Sequence, residues 1–255
     1  MVKKQEPLVS IVTPVYNAAE FLADTIKTVQ NQSYSNWELI LVDDCSRDAS
    51  VAIIRDFQKL DKRIKLVRMK QNSGAALSRN AGTKKAAGGY LAFLDADDIW
   101  MKDKLKKQIA FMQKNDYAFT FTGYEFADKN GISTGKRVHT PAMITYKQAL
   151  KNHIIWTSTV VLDMSKVHKE TAYMPNVRRG QDAATWWKIL RQVNAAYSID
   201  KSLALYRRTN SSLSANKFKA MKRTWYLLSK VEKLGLALSI YNFAWYAYYA
   251  VKKRV

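Results

Sequence analysis

Apolar residues in the first 115 positions come as short dense runs separated by stretches of helical period. Leu8–Thr13 is one such run, closed by Pro14, and it predicts a buried strand. Asn17 then stands three residues ahead of Glu20, the spacing of a reciprocal helix cap, and Phe21, Leu22, Ile26 and Val29 share one helical face. Trp37–Asp44 predicts a second strand. Ser46 or Asp48 can open the helix that follows, with Ile53, Phe57 and Leu60 turned inward. Ile64–Met69 predicts a third strand, and Ala75–Ala87 an alanine-rich helix stopped by Gly88 and Gly89. Tyr90–Leu94 predicts a fourth strand, and residues 103–115 a helix.

Four rounds of strand and helix predict an α/β domain, with a mostly parallel sheet covered by helices on both faces. Ligands of such sheets bind outside the carboxyl ends of the strands. Beyond Tyr117 the alternation loosens. Residues 117–127 and Ile154–Leu162 read as strands, 128–137 as a loop or hairpin, and Asp182 to about Gln192 as a helix. "AAYSID" and "SLALYRR" read as two short strands, and no repeat is visible. The expected division is a catalytic domain over 1–214, with a ligand-binding half (1–100) and a second half (101–214), followed by a tail over 215–255.

The tail differs in composition from the rest of the chain. It carries nine basic residues against the single Glu232, and Leu234–Val251 is an uncharged run of 18 residues. That run is marginal for a bilayer span, and its tyrosines and tryptophan suit the headgroup zone. It is read as an amphipathic element lying on an anionic membrane surface, the alternative being a helix packed on protein. The whole chain has 42 basic and 21 acidic residues, a net charge of +21, which implies an anionic partner without choosing one. A single cysteine, Cys45, excludes an intrachain disulfide and a multi-cysteine zinc site, and His139, His153 and His168 lack metal-ligand spacing. The N-terminal run lacks the pattern of a secretory leader, so a cytoplasmic chain, peripheral at the cell membrane, is expected.

The chemistry concentrates where strands stop. "YLAFLDADDIW" ends an apolar run in Asp95, Asp97 and Asp98, and "WELILVDD" ends in Asp43 and Asp44. The Asp95–Asp98 carboxylates, without His or Cys nearby, suit Mg2+ or Mn2+, ions that keep waters and bind a substrate's phosphates as well. Asp43–Asp44 alone would be read as a strand end capping a helix, Arg79 alone as a surface charge, and Asp182 alone equally well as the first-turn acid of a helix. Trp186 and Trp187 are read as core or as the wall of an acceptor pocket.

Taken in order, "VSIVTPVYN", "ELILVDDCSRD", "NSGAALSRNAG" and "LAFLDADDIW" resemble the motifs of family 2 glycosyltransferases, which have the GT-A (Rossmann-like) fold. Within that family the likeness is to bacterial cell-envelope polysaccharide and teichuronic-acid-type transferases. "RGQDAATWW" and "YRRTNSSLSANK" extend it to about Lys217. The resemblance implies a nucleotide pocket lined by Pro14 and Tyr16, with Asp44 accepting from a uracil ring and Asp43 supporting the turn. It implies Arg79 facing the nucleotide sugar, Asp95 by the ribose and diphosphate, Asp97 as metal ligand and Asp98 orienting its neighbours or the donor sugar. It implies Asp182 as catalytic base with Gln181 beside it, and Arg207, Ser212 and Ser214 closing over the diphosphate. Three positions depart from the pattern: Gln181 replaces a Glu, Lys102 a Pro, and Cys45 a Gly. Because Gln cannot ionise, support from a second carboxylate is lost at Gln181.

The expected reaction is transfer of a sugar with inversion, from a uridine-linked nucleotide sugar to a hydroxyl of a lipid-linked glycan or envelope polymer. Two rival classes remain at this point. A sugar-nucleotide nucleotidyltransferase shares the sheet, but wants a glycine-rich basic loop where "TPVYNAAEF" stands. A non-catalytic polyanion or nucleic-acid binder would need neither Asp97 nor Asp182.

Overall fold

A computed structural model describes residues 6–177, 179–208 and 217–252. The first half is built from β1 (Val9–Val15), α1 (Ala19–Gln30), β2 (Trp37–Asp43), α2 (Ser50–Leu60), β3 (Ile64–Arg68), α3 (Ala75–Lys85) and β4 (Tyr90–Phe93). It continues through β5 (Ile99–Trp100), α4 (Lys104–Asn115), β6 (Phe119–Ala127), β7 (Ser133–Val138), β8 (Met143–Thr145) and α5 (Tyr146–Ala149). After a 3-10 turn at Thr157–Thr159 come β9 (Val161–Asp163), α6 (Lys169–Ala172), α7 (Gln181–Val193) and β10 (Ala195–Arg207). The chain ends in α8 (Lys217–Tyr226), a π-helical stretch Leu227–Val231, and α9 (Leu236–Lys252).

The strands form one ten-stranded sheet in the order β3-β2-β1-β4-β9-β6-β10-β5, with β7 paired to β6 and β8 to β10. The β3-β2-β1-β4 half is parallel throughout, as short buried runs linked by helices require. Beyond β4 the sheet is mixed: β9 runs antiparallel to both its neighbours, while β6 and β10 are parallel. Residues alternate between two cores. Val12, Leu91 and Phe93 face one side, with Trp186 and Trp187 of α7; Ile11, Ala92 and Leu94 face the other, with Leu22, Ile26 and Ile109.

Three expectations about elements change. Ile154–Leu162 is not one strand: Val160 N–H closes the 3-10 turn on the Thr157 carbonyl, and only Val161–Asp163 joins the sheet. The two short strands after α7 are one 13-residue strand, β10, bent by register shifts against β6. The Asn17–Glu20 cap does not form. Asn17 sits at φ 48°, and α1 is capped from the β2–α2 loop, where Ser50 Oγ accepts from Ala18 N–H and Asp48 Oδ2 from Ala19 N–H.

The tail belongs to the domain. Leu227 and Leu228 are fully buried in the α7-side core. Glu232 accepts a hydrogen bond of 2.6 Å from Tyr146 Oη and pairs with Arg191. Helix α9 turns Ser239, Asn242, Phe243 and Tyr246 toward the protein and leaves Leu236, Leu238 and Ile240 more than half exposed. Among the described residues no helix is long and apolar enough to cross a membrane.

Candidate active site

One cleft of about 1360 Å³ opens at the carboxyl edge of the parallel strands. Its walls include Pro14, Tyr16, Asp44, Arg79, Asp95, Asp97, Gln181 and Asp182, so residues far apart in sequence face one space. Each arrives by a local rule. Pro14 is the last residue but one of β1, and Tyr16 follows the strand, half exposed at the rim. Asp44 stands one residue beyond β2, where the parallel ladder stops, and Asp95 and Asp97 lie just past β4. Gln181 and Asp182 occupy the first turn of α7, which begins after Gly180 at φ 78°. A side chain there would also put its Cβ 2.6 Å from Leu227 Cδ1, so glycine is required twice over.

The carboxylates share an edge but not one cluster. Asp44 is turned to the loop ahead of α3: its two oxygens accept from Ser73 N–H at 2.8 Å and Gly74 N–H at 2.7 Å. Asp43 is fully buried off the cleft wall, and its Oδ1 accepts from Ser46 N–H at 3.0 Å. That turn puts Cys45 at φ 64°, a left-handed conformation in which glycine is cheapest. Arg79, buried in α3, pairs with Asp95 and also lies 3.9 Å from the sulfur of Met174. Asp98 is fully buried beneath the cleft, where its Oδ2 accepts from Ser158 Oγ at 2.6 Å. Ser158 Oγ also accepts from Asp95 N–H, and Trp100 Nε1–H donates to the Ser158 carbonyl. The 3-10 turn thus braces the acidic loop from below.

Electrostatics follow from that crowding. Burial, then the charge of Asp95, pushes the Asp97 carboxyl up to about 6. Burial, then the charges of Asp97 and Asp95, holds the Asp98 carboxyl well above the ordinary range. Negative charge at Asp97 is therefore costly until a cation arrives. Among the described residues no group of three or more His, Cys, Asp or Glu side chains could enclose a metal ion. The donor set still fits a hard divalent ion of the Mg2+ or Mn2+ kind. Such ions take one or two carboxylates and complete their shell with water and substrate phosphate, and Asp97 with Asp95 offers that.

Arg207 stands elsewhere than over the cleft. It ends β10 with its guanidinium buried: Nε–H donates to the Asp97 carbonyl at 2.9 Å, and an NηH group to the Lys129 carbonyl at 2.6 Å. β10 carries it under the acidic loop, so it fixes Asp97's backbone instead of reaching into the cleft. Ser212 and Ser214 lie outside the described residues. Reading the sequence also missed part of the wall: Ser73 and Gly74, Asn152–Thr157, Arg179 and Arg223. Only the "NSG" turn carried a signal. Arg223 looked like one more charge of a basic tail.

A mixed α/β sheet with a carboxylate-bearing cleft at the carboxyl edge of its parallel strands has the architecture of a GT-A-type nucleotide-sugar transferase. The profile described as Glycosyl transferase family 2 matches residues 10–169, and the chain belongs to that family: it is a glycosyltransferase. This removes the nucleotidyltransferase and the non-catalytic binder. TuaG of Bacillus subtilis, named for glycosyl transfer in teichuronic acid biosynthesis, is 44% identical over 250 residues, covering 98% of each chain. WfgD of Escherichia coli is named a UDP-Glc:alpha-D-GlcNAc-diphosphoundecaprenol beta-1,3-glucosyltransferase. It is 39% identical over 255 residues, covering 96% of this chain and 94% of WfgD. Among solved structures, Staphylococcus aureus TarS 1-349 with UDP-GlcNAc superposes with a TM-score of 0.70 at 20% identity, over 94% of this chain and 71% of that one. The Pyrobaculum calidifontis mannosyltransferase PcManGT, solved with GDP-Man and Mn2+, gives 0.70 at 16% identity, over 96% and 70%. At those identities the likeness is one of fold.

Proposed function

We propose that the chain is an inverting transferase that moves a sugar from a uridine-diphosphate donor to a hydroxyl of a lipid-linked or envelope glycan. The observation that carries this is the one cleft faced by Asp44 after β2, by Asp95 and Asp97 after β4, and by Asp182 in the first turn of α7. The near full-length likeness to a UDP-glucose-using transferase and to TuaG supports the donor and acceptor classes.

In this reading Pro14 and Tyr16 bracket the base. Asp44, an acceptor-only group when ionised, takes the uracil N–H on lone pairs its two backbone partners leave open. Arg79 lies against the donor's phosphate and sugar with Asp95, and Asp97 faces the diphosphate. Asp97 and Asp95 would hold a divalent cation, which supplies charge neutralisation for a departing diphosphate. Arg207 and Asp98 hold that loop in place from beneath; Ser212 and Ser214 belong to the adjoining segment. Asp182 accepts the proton of the acceptor hydroxyl as its oxygen attacks the anomeric carbon. The bond to the diphosphate breaks on the opposite side, and UDP leaves with its electron pair. One displacement inverts the centre. Gln181 keeps hydrogen-bonding capacity toward the acceptor without a second charge. The outward face of α9 and the tail's basic residues rest on an anionic membrane surface, where such acceptors reside.

Thermal unfolding with nucleoside diphosphates, with and without Mn2+, tests the donor class: stabilisation by UDP above the others is expected, and none by any nucleotide refutes it. Asp182→Asn keeps shape and removes basicity. Its transfer rate should fall by about 10²–10⁴-fold while UDP affinity holds. A near-normal rate would remove Asp182 as base.

A further inference from the structure

Two guanidinium groups in the cleft have no use in the donor site. Arg179 and Arg223 both line it, the first just ahead of α7 and the second on α8, whereas Asp44, Asp95 and Asp97 follow β2 and β4. They come from different elements and meet at Gly180: Arg179 precedes it in the chain, and Arg223 Cδ of α8 lies 3.2 Å from where a Gly180 Cβ would stand. Both are half-buried, and neither makes a hydrogen bond or ion pair within the described residues. Arg79, by contrast, pairs with Asp95. Two unpaired, partly desolvated cations beside one glycine repel each other unless an anion sits between them. The first-turn amides of α7 lack intrahelical acceptors and add to the same positive field.

We propose that Arg179 and Arg223 bind a diphosphate carried by the acceptor, distinct from the diphosphate of the donor. This rests on the transferase reading. Asp182, one turn position past Gln181, lies next to the pair, so a diphosphate held there sets the sugar attached to it beside the base. Guanidinium forks suit phosphate oxygens bidentately. Helix α8 packs on α9 through Trp225 and Phe243, with ring centroids 5.6 Å apart, so a lipid leaving the diphosphate meets the element whose outer face is apolar. The recognised class is a lipid diphosphate glycan; an uncharged or monosaccharide acceptor would leave the pair without a partner.

The test uses the full chain saturated with UDP and farnesyl diphosphate as the probe, by calorimetric titration, with farnesol as the uncharged control. The wild type is expected to bind the diphosphate and not farnesol. Arg179→Gln with Arg223→Gln should weaken farnesyl diphosphate by tenfold or more and change UDP affinity by less than twofold. Farnesol binding as well as the diphosphate, or a loss under twofold in the double variant, overturns the proposal. Parallel loss of UDP affinity also overturns it, by assigning the pair to the donor. A wild type that binds no UDP fails at the earlier step, as a transferase, and is distinguished by that arm alone.

Discussion

Asp97 is constrained from three sides. Its charge is opposed by burial and by Asp95, its backbone is held by Arg207, and its carboxyl faces the cleft. Asp97→Asn removes the charge and keeps the volume, so donor turnover should lose its dependence on Mn2+ and fall by at least about 10²-fold. Turnover that still responds to the metal would place the ligand elsewhere. Lys104 makes the opposite experiment. It is fully buried, donates to Gln108 Oε1 at 3.1 Å, lies 3.9 Å from the Trp100 ring centre, and burial lowers its ammonium to about 7. Below about pH 7 the residue is charged in both states and folding bears the full desolvation cost. As pH rises toward the unfolded value, the unfolded chain keeps a proton that the folded chain has released, so stability increases. Lys104→Met should therefore stabilise the protein by about 1–3 kcal/mol near pH 6.5 and flatten the rise toward pH 9.5, read from urea midpoints. A destabilised variant with the same pH slope would show that the ring contact outweighs burial. Asp97 was legible because four motifs stand in fixed order. Ser158 and Arg223 were not, since their partners Asp98 and Gly180 lie 60 and 43 positions away and nothing local marks them.

At the scale of elements, α1 depends on a neighbour for its beginning. Asp48 spends one oxygen on Ala19 N–H of α1 and the other on Ser50 N–H of its own helix, while Ser46 Oγ accepts from Asn17 N–H. The β2–α2 loop therefore holds the Tyr16–Asn17 rim of the cleft. Asp48→Ala should cost about 1–2 kcal/mol and weaken UDP binding, whereas Lys59→Ala, on an exposed pair, should change neither. Intact UDP affinity in the Asp48 variant would separate the cap from the rim. The sequence pattern located α1 through its apolar face, yet assigned the cap to Asn17, because a capping box is judged by spacing alone. Asn17 instead turns its side-chain oxygen to Arg47 N–H. β10 was split for a related reason: "DK" looks like a break, but Asp200 is held by Arg137, His139 and Thr140 N–H, so the strand runs through.

For the whole molecule, the parallel half of the sheet was readable because buried strands joined by helices leave a period that survives without partners. The mixed half was not, since antiparallel insertion of β9 depends on pairings across the chain. The tail combines both lessons. Its apolar run serves two surfaces, and only the outward one is free for a membrane. Leu236→Glu, Leu238→Glu and Ile240→Glu together should reduce co-sedimentation with anionic-lipid vesicles by about tenfold or more while leaving thermal unfolding nearly unchanged. Unaltered sedimentation would assign that face to another partner. Binding by the unaltered chain should weaken as salt rises.

Leu227 and Leu228 give that tail a second meaning. They close the hydrophobic interior with Trp186 and Trp187, and the same turn presses on Gly180, two residues before Asp182. A shortened version ending before Lys217 would thus be missing a keystone as well as its membrane-facing helix. It would lose catalysis in free solution, with no lipid anywhere in the tube.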